Sequence, residues 1–325
     1  MKRNFLTSRY SLCISYDNLA ICDGAGAQIQ RIVEIYGVCR LYNYQFSNVD
    51  ILKIDSNPGD GMNTEAEKNK FIFLLNDIFV RPLSNCNHDI HTDVKTIWNF
   101  LVNRLNFPRI WLRINQFVNI GKNNSRLVLS DLSFTKKLDS DLYFFYKNKI
   151  HSTEKFIKWV KLDKAPEIQI HFQGAKTSRQ RMAERYIEPK KLIELLQKIK
   201  NNYPEYQTLL HTDLDMKNEN WNVVDSQTPE TIRYWQESGL IDKNNKVVLN
   251  KIDPRSIFSE SEIDQVLTAV SPLDVWKQMA NADILICAKS SLSFIGALIN
   301  IKPSVQIYVP NGFINYPTNW NKVNF

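Results

Sequence analysis

The stretch from Ala282 to Asn300, ADILICAKSSLSFIGALIN, constrains the fold more than any other part of the chain. Ile284, Leu285 and Ile286 form a short apolar run, the pattern of a strand covered on both faces. Phe294, Ile295, Ala297, Leu298 and Ile299 then recur with helical spacing. A strand followed at once by a helix is the unit of a parallel sheet, because parallel strands need a crossover to bring the chain back. Between the two runs stand Lys289, Ser290, Ser291 and Ser293, with no glycine or proline. One ammonium, three hydroxyls and the free amides of a starting helix converge where α/β folds bind ligands, and they suit a diphosphate. A serine cap on the helix is the plainer reading, and it accounts for one hydroxyl only.

The same alternation runs through both halves. Residues 11–23 read as a strand entering a loop, and DGAGAQIQRIVEIYGVCRLYN (23–43) as loop then helix. QFSNVDILKI (45–54) reads as a second strand, 55–63 as a polar loop and 64–80 as a helix. The region 93–150 mixes a helix (TIWNFLVNRL) with strands (RIWLRIN, RLVLSDL). The pattern then starts afresh: Ile168–Phe172 alternates as a strand, and EPKKLIELLQKIKNNYPE is an amphipathic helix with Pro189 near its start. YQTLLHTD and KVVLNKI read as strands, TPETIRYWQESG as a helix capped by Thr228, and SPLDVWKQMAN as a helix. This order predicts an α/β protein of two doubly wound, Rossmann-like domains, with a boundary near 155–165.

A length of 325 residues accommodates two such domains, and 43% hydrophobic with 11% aromatic residues can fill their cores. No run approaches the roughly 20 apolar residues of a membrane-spanning helix. The first residues lack the apolar segment and cleavage site of a signal peptide. The cysteines at 13, 22, 39, 86 and 287 are scattered and odd in number, which predicts reduced thiols and a cytoplasmic setting. The formal charge of +7 is spread along the chain. It suits a phosphorylated small molecule or an anionic membrane surface as well as nucleic acid.

Other segments carry chemistry. Gly24 and Gly26 precede a helix and let backbone approach a ligand or make a tight turn, but G-A-G-A-Q-I breaks the dinucleotide fingerprint. Past the strand ending in His171 and Phe172 come Gln173 and Gly174, then four cations, Lys176, Arg179, Arg181 and Arg185, suited to a diphosphate or to a solvated helix face. HTDLD (211–215) has the Asp213/Asp215 spacing that metal-dependent sugar transferases use for Mn²⁺ or Mg²⁺. DSD at 139–141 repeats that spacing, so the favoured role for Asp213 is to orient part of the site without a metal. Cys86, His88 and His91 lack a fourth well-spaced ligand for structural zinc.

In this order, DGAGAQ, IHFQGAK, HTD, ADILICAKSSLS and the closing VQIYVP resemble a family of sugar-nucleotide-dependent glycosyltransferases of large DNA viruses and some microbes. That family is distantly similar to the α-1,2-, α-1,6- and protein O-fucosyltransferases of GT-B fold. The resemblance implies a first loop at Gly24, Gly26 and Gln28. It places a second motif at His171, Gln173 and Gly174, and a third, touching the donor phosphates, at Ser290, Ser291 and Ser293. Gln173 stands where the fucosyltransferases have arginine, and Ala175 where they have aspartate; Arg179 or Arg181 would then replace the phosphate clamp.

The expectation is an inverting, metal-independent GT-B transferase without a cofactor. Its nucleotide-diphosphate sugar, a UDP- or GDP-sugar such as xylose or fucose, serves as substrate, and an oligosaccharide or glycoprotein glycan as acceptor. Residues 1–160 would take the acceptor and 161–325 the donor, held by the three motifs with Arg179, Arg181, Asp213 and Lys289. Asp60 is the first choice of general base and Asp23 the second. Two rivals stand beside this reading. One is a GT-A-like, Mn²⁺-dependent transferase using Asp213 and Asp215; the other is a non-enzymatic, basic nucleic-acid-binding protein, disfavoured by the lack of a dense basic block.

Overall fold

The computed structural model describes residues 13–16, 24–42, 45–55, 64–83, 92–94, 125–129, 142–172, 187–212, 232–233, 236–237, 242–244, 258, 263–268, 270–312 and 316–324. In the first half these form β1 (Cys13–Tyr16), α1 (Ala25–Tyr42), β2 (Gln45–Ser47), α2 (Glu65–Leu75), β3 (Thr92–Val94), β4 (Ser125–Leu129), α3 (Leu142–His151) and α4 (Glu154–Val160). In the second they form β5 (Ile168–Phe172), α5 (Pro189–Asn202), β6 (Thr208–Thr212), β7 (Gln265–Leu267), α6 (Pro272–Ala280), β8 (Ile284–Ile286), α7 (Ser291–Leu298), β9 (Gln306–Pro310) and β10 (Asn321–Val323).

Among the described residues every strand pairing is parallel, and the strands fall into two sheets, ordered β2-β1-β4-β3 and β10-β9-β8-β5-β6-β7. This is the α/β class with two Rossmann-like sheets that the alternation predicts. The second sheet has the doubly wound order in which the chain runs outward from β5 and later resumes on its other side at β8. The described strands of the first sheet precede residue 130, and those of the second follow residue 167.

Both faces of the second sheet are covered, which is why β5 is buried throughout. Ile168, Ile170 and Phe172 point to α5, where Leu192, Leu196 and Ile199 form the opposing stripe. The other face packs Leu285, Cys287, Ile307 and Val309 against α6 and α7. That second core does not stop at the sheet. It is continuous with the core of the first half, taking in Ile14, Ile29, Val33, Phe79, Tyr143 and Phe156. Phe79 meets Trp276 edge-on at 5.3 Å, and Tyr143 meets Phe294 at 4.9 Å. Asn281 Nδ2 donates to the Val160 carbonyl at 2.8 Å, and His151 Nε2 to the Ile299 carbonyl at 3.0 Å. No helix among the described residues is long and apolar enough to cross a membrane.

Two elements depart from the sequence expectation. The strand expected over 45–54 ends at Ser47. Beyond it the Asn76 side chain does the work of a neighbouring strand, accepting from the Ile51 N–H and donating to the Ile51 carbonyl, both at 2.8 Å. The helix expected over 64–80 is α-helical only to Leu75, and residues 76–80 wind as a π-turn starting at this same Asn76. Its start was readable: Thr64 and Glu67 form a capping box, T-E-A-E in sequence.

Candidate functional site

In doubly wound sheets ligands collect where the strand order reverses, outside the carboxyl ends of the two central strands. Here those strands are β5 and β8. His171 is the penultimate residue of β5, and the turn from Cys287 to Ser290 leads out of β8 into α7. Two motifs far apart in sequence therefore meet: His171 Nδ1 lies 2.5 Å from Ser293 Oγ, and both residues are buried.

The four polar residues of the turn divide into two pairs. Ser290 is the cap of α7, accepting from the Leu292 N–H at 3.2 Å. Ser293 is fully buried, and its oxygen also accepts from the Ala288 N–H at 3.1 Å. Lys289 and Ser291 are half-buried, with no hydrogen-bond partner among the described residues. Gly312, in the turn after β9, has φ 76°. A side chain there would begin 3.9 Å from Lys289 Nζ, so this glycine also leaves room beside the ammonium.

The first-half loop reaches the same place. Gly26 lies inside the first turn of α1 rather than in a loop before it. A Cβ on Gly26 would come within 2.8 Å of the Leu292 nitrogen and 3.0 Å of the Ser291 carbonyl carbon. Only the missing side chain lets the start of α1 touch the start of α7. Gly24 is roomier, its nearest neighbour being the Asp55 carbonyl at 3.9 Å. Gln28 is buried, with Oε1 accepting from the Tyr16 hydroxyl at 3.1 Å and Nε2 donating to the Lys53 carbonyl at 2.7 Å. Its amide ties β1 and the 51–55 segment to α1.

Sequence reasoning passed over three residues of this region. His211 pairs with His171 across β6 and β5, and Gln169 precedes His171 by two on the same face. Gln169 Nε2 donates to the Pro166 carbonyl, so its Oε1 faces His211, whose Nε2 must carry the proton. His211 Nδ1 is buried without a partner among the described residues. Burial lowers His171 to about 4; burial and then the neighbouring His171 lower His211 to about 3, so both rings are neutral near pH 7. The signal was present as IHF and LHT, a histidine one residue before the end of each strand. Cys287, the third, is fully enclosed; burial pushes its thiol up to about 12 and makes it unreactive.

Asp23, Asp60, Gln173, Gly174, Arg179, Arg181, Asp213 and Asp215 lie outside the described residues, as do Cys86, His88 and His91. Among the described residues no group of three or more His, Cys, Asp or Glu is placed to hold a metal ion.

No protein-family model matches the chain, and no curated protein matches it. Among solved structures it is similar to the E. coli heptosyltransferase WaaC with ADP-2-deoxy-2-fluoro heptose. That likeness has 9% sequence identity and a TM-score of 0.35, over 96% of this chain and 92% of that chain.

Proposed function

We propose that the chain is a GT-B glycosyltransferase. It moves a sugar from a nucleotide-diphosphate sugar, a UDP- or GDP-sugar such as xylose or fucose, to an oligosaccharide or glycoprotein glycan, with inversion and without a metal. The observation that carries this reading is the meeting of two helix starts, α1 and α7, at Gly26 and Leu292. Each start brings the positive end of a helix dipole and amides without an intrahelical acceptor, of which the Leu292 N–H is taken by Ser290. Placed together they favour a multiply charged anion over a neutral group. Lys289 and Ser291, unengaged among the described residues, add an ammonium and a hydroxyl beside it.

A diphosphate leaving group suits such a place. Negative charge grows on it as the glycosidic bond breaks, so donors fixed in advance stabilise the transition state more than the bound donor. The acceptor hydroxyl attacks the anomeric carbon from the opposite side and gives its proton to a carboxylate. Asp60 is the proposed base, in the segment that follows Asp55 beside Gly24; Asp23, next to Gly24 in the chain, is second. Residues 1–160 receive the acceptor, and 161–325 hold the nucleotide. Gln173, Gly174, Arg179, Arg181 and Asp213, which follow the ends of β5 and β6 in sequence, are further proposed donor contacts.

Thermal-shift measurements against UDP-, GDP-, ADP-, dTDP- and CMP-sugars test this reading, followed by turnover with and without EDTA. Stabilisation by one nucleotide class and turnover that survives chelation are expected. Loss of turnover in EDTA, restored by Mn²⁺, would replace the mechanism with a metal-dependent one through Asp213 and Asp215. No shift with any nucleotide sugar, together with salt-sensitive oligonucleotide binding, would overturn the transferase reading.

A further inference from the structure

We infer that Ser293 is a positioning residue, acting on the ligand only by holding the His171 imidazole as a neutral Nε2–H donor aimed at a ligand oxygen. The ligand rests on the nucleotide-sugar reading above; the tautomer does not.

Ser293 has no exposed surface, so it cannot touch a ligand itself. A hydroxyl offers one proton and two lone pairs. One lone pair of Ser293 Oγ is taken by the Ala288 N–H at 3.1 Å. At 2.5 Å from His171 Nδ1, either the ring donates to the hydroxyl or the hydroxyl donates to the ring. If the ring donated, the Ser293 proton would be left in a fully buried spot with no acceptor among the described residues, an expensive arrangement. The hydroxyl therefore donates, Nδ1 accepts, and the ring's single proton sits on Nε2. That nitrogen has no partner among the described residues, and the ring stands at the carboxyl edge of β5, on the switch point of the sheet.

The surroundings keep the ring uncharged. His211 on β6 is neutral and fixed as its own Nε2–H tautomer by Gln169, and the Cys287 thiol beyond β8 donates to the Ser293 carbonyl at 4.0 Å. Burial, which lowers His171 to about 4, works in the same direction. A neutral N–H cannot serve as a base and is no phosphate-clamping cation. It recognises an acceptor oxygen, which we place on the diphosphate or the nucleoside rather than on the transferred sugar.

The first test needs no ligand. Long-range ¹H–¹⁵N spectra of ¹⁵N-histidine protein, with the His171 signals assigned from His171→Phe, should show Nδ1 as an unprotonated acceptor and Nε2 protonated. A protonated Nδ1 overturns the inference. The second test is a double-mutant cycle by calorimetry, using whichever of UDP, GDP or ADP binds and its parent nucleoside. Ser293→Ala should weaken binding about tenfold in the wild-type background and leave it unchanged in the His171→Phe background. Equal losses in both backgrounds would mean that Ser293 does not work through the ring. A loss shared by nucleoside and nucleotide puts the contacted oxygen on the nucleoside, and a loss for the nucleotide alone puts it on the diphosphate. If Ser293→Ala does not fold, the ligand-free spectrum decides. Failure of every nucleotide to bind refutes the transferase reading and leaves the tautomer result standing.

Discussion

Adding one methyl group at Gly26 tests how the two halves meet. The new Cβ of Gly26→Ala would lie 2.8 Å from the Leu292 nitrogen, 3.0 Å from the Ser291 carbonyl carbon and 3.1 Å from Leu292 Cα. All three are backbone atoms, so no side-chain rotation relieves the clash. The start of α1 must retreat from the start of α7 by at least about 0.6 Å to restore ordinary contact. Such overpacking costs about 1–3 kcal/mol. Alanine's better helix propensity returns at most about 1 kcal/mol, and less in a first turn than in a helix interior. The expected net loss is about 1–2 kcal/mol, read from urea unfolding. Gly24→Ala, where the nearest atom is 3.9 Å away, should lose less than about 1 kcal/mol through its weaker N-cap alone. Calorimetry on Gly26→Ala should show nucleotide-sugar affinity reduced about tenfold or more, because the displaced helix starts no longer converge. A Gly26→Ala protein as stable as wild type, binding nucleotide sugar normally, would refute the close approach and the site built on it.

Ser291→Ala should weaken nucleoside diphosphate by about 1–3 kcal/mol in calorimetry while sparing the bare nucleoside; equal losses for both ligands would reduce the serine to a part of the helix start. Asp60→Asn should lower turnover by roughly two to four orders of magnitude with nucleotide binding near wild type, and unchanged turnover would pass the role to Asp23. Acid should destabilise the protein through its buried histidines. His171 and His211 have folded values near 4 and 3, below the ordinary 6.5, so in this window the unfolded chain binds more protons. Their contribution is complete above pH 6.5 and falls by up to about 1.4 kcal/mol per pH unit per ring as the pH drops toward 4. Urea midpoints that stay flat from pH 7 to 4.5 would contradict the neutral pair.

The fold class was legible because the strands of the second half that carry the site show an apolar run in one case and alternation in the other, each followed by a helical period. ILI before SSLSFIGAL gives β8 and α7, and IQIHF gives β5. The strands β3, β7 and β10 were not legible, since TDV, QVL and NKV are neither an unbroken apolar run like the ILI of β8 nor long enough to establish a period. Neither was the end of β2, where an asparagine on a later helix takes over the hydrogen bonds of a strand. At the site, the sequence marked both His171 and Ser293 but gave no hint that they touch, because pairing between distant positions belongs to tertiary structure. Gly26 was noticed as a place where backbone could approach a ligand or turn tightly; the close approach that the structure shows is to the backbone at Leu292.

The aromatic seam of Phe79, Trp276, Tyr143 and Phe294 bears on how substrates come and go. Parting the halves like a clamshell would bring Trp276 and Phe294 into water at about 1.5–3 kcal/mol per large side chain, with further losses at His151 and Asn281. Two lobes welded in this way are poor jaws. For the transferase proposed above, substrates would then have to come and go without the halves swinging apart. The same weld makes the halves bad interchangeable parts: a chimera joined near residue 160 would inherit one side of an interface without its complement.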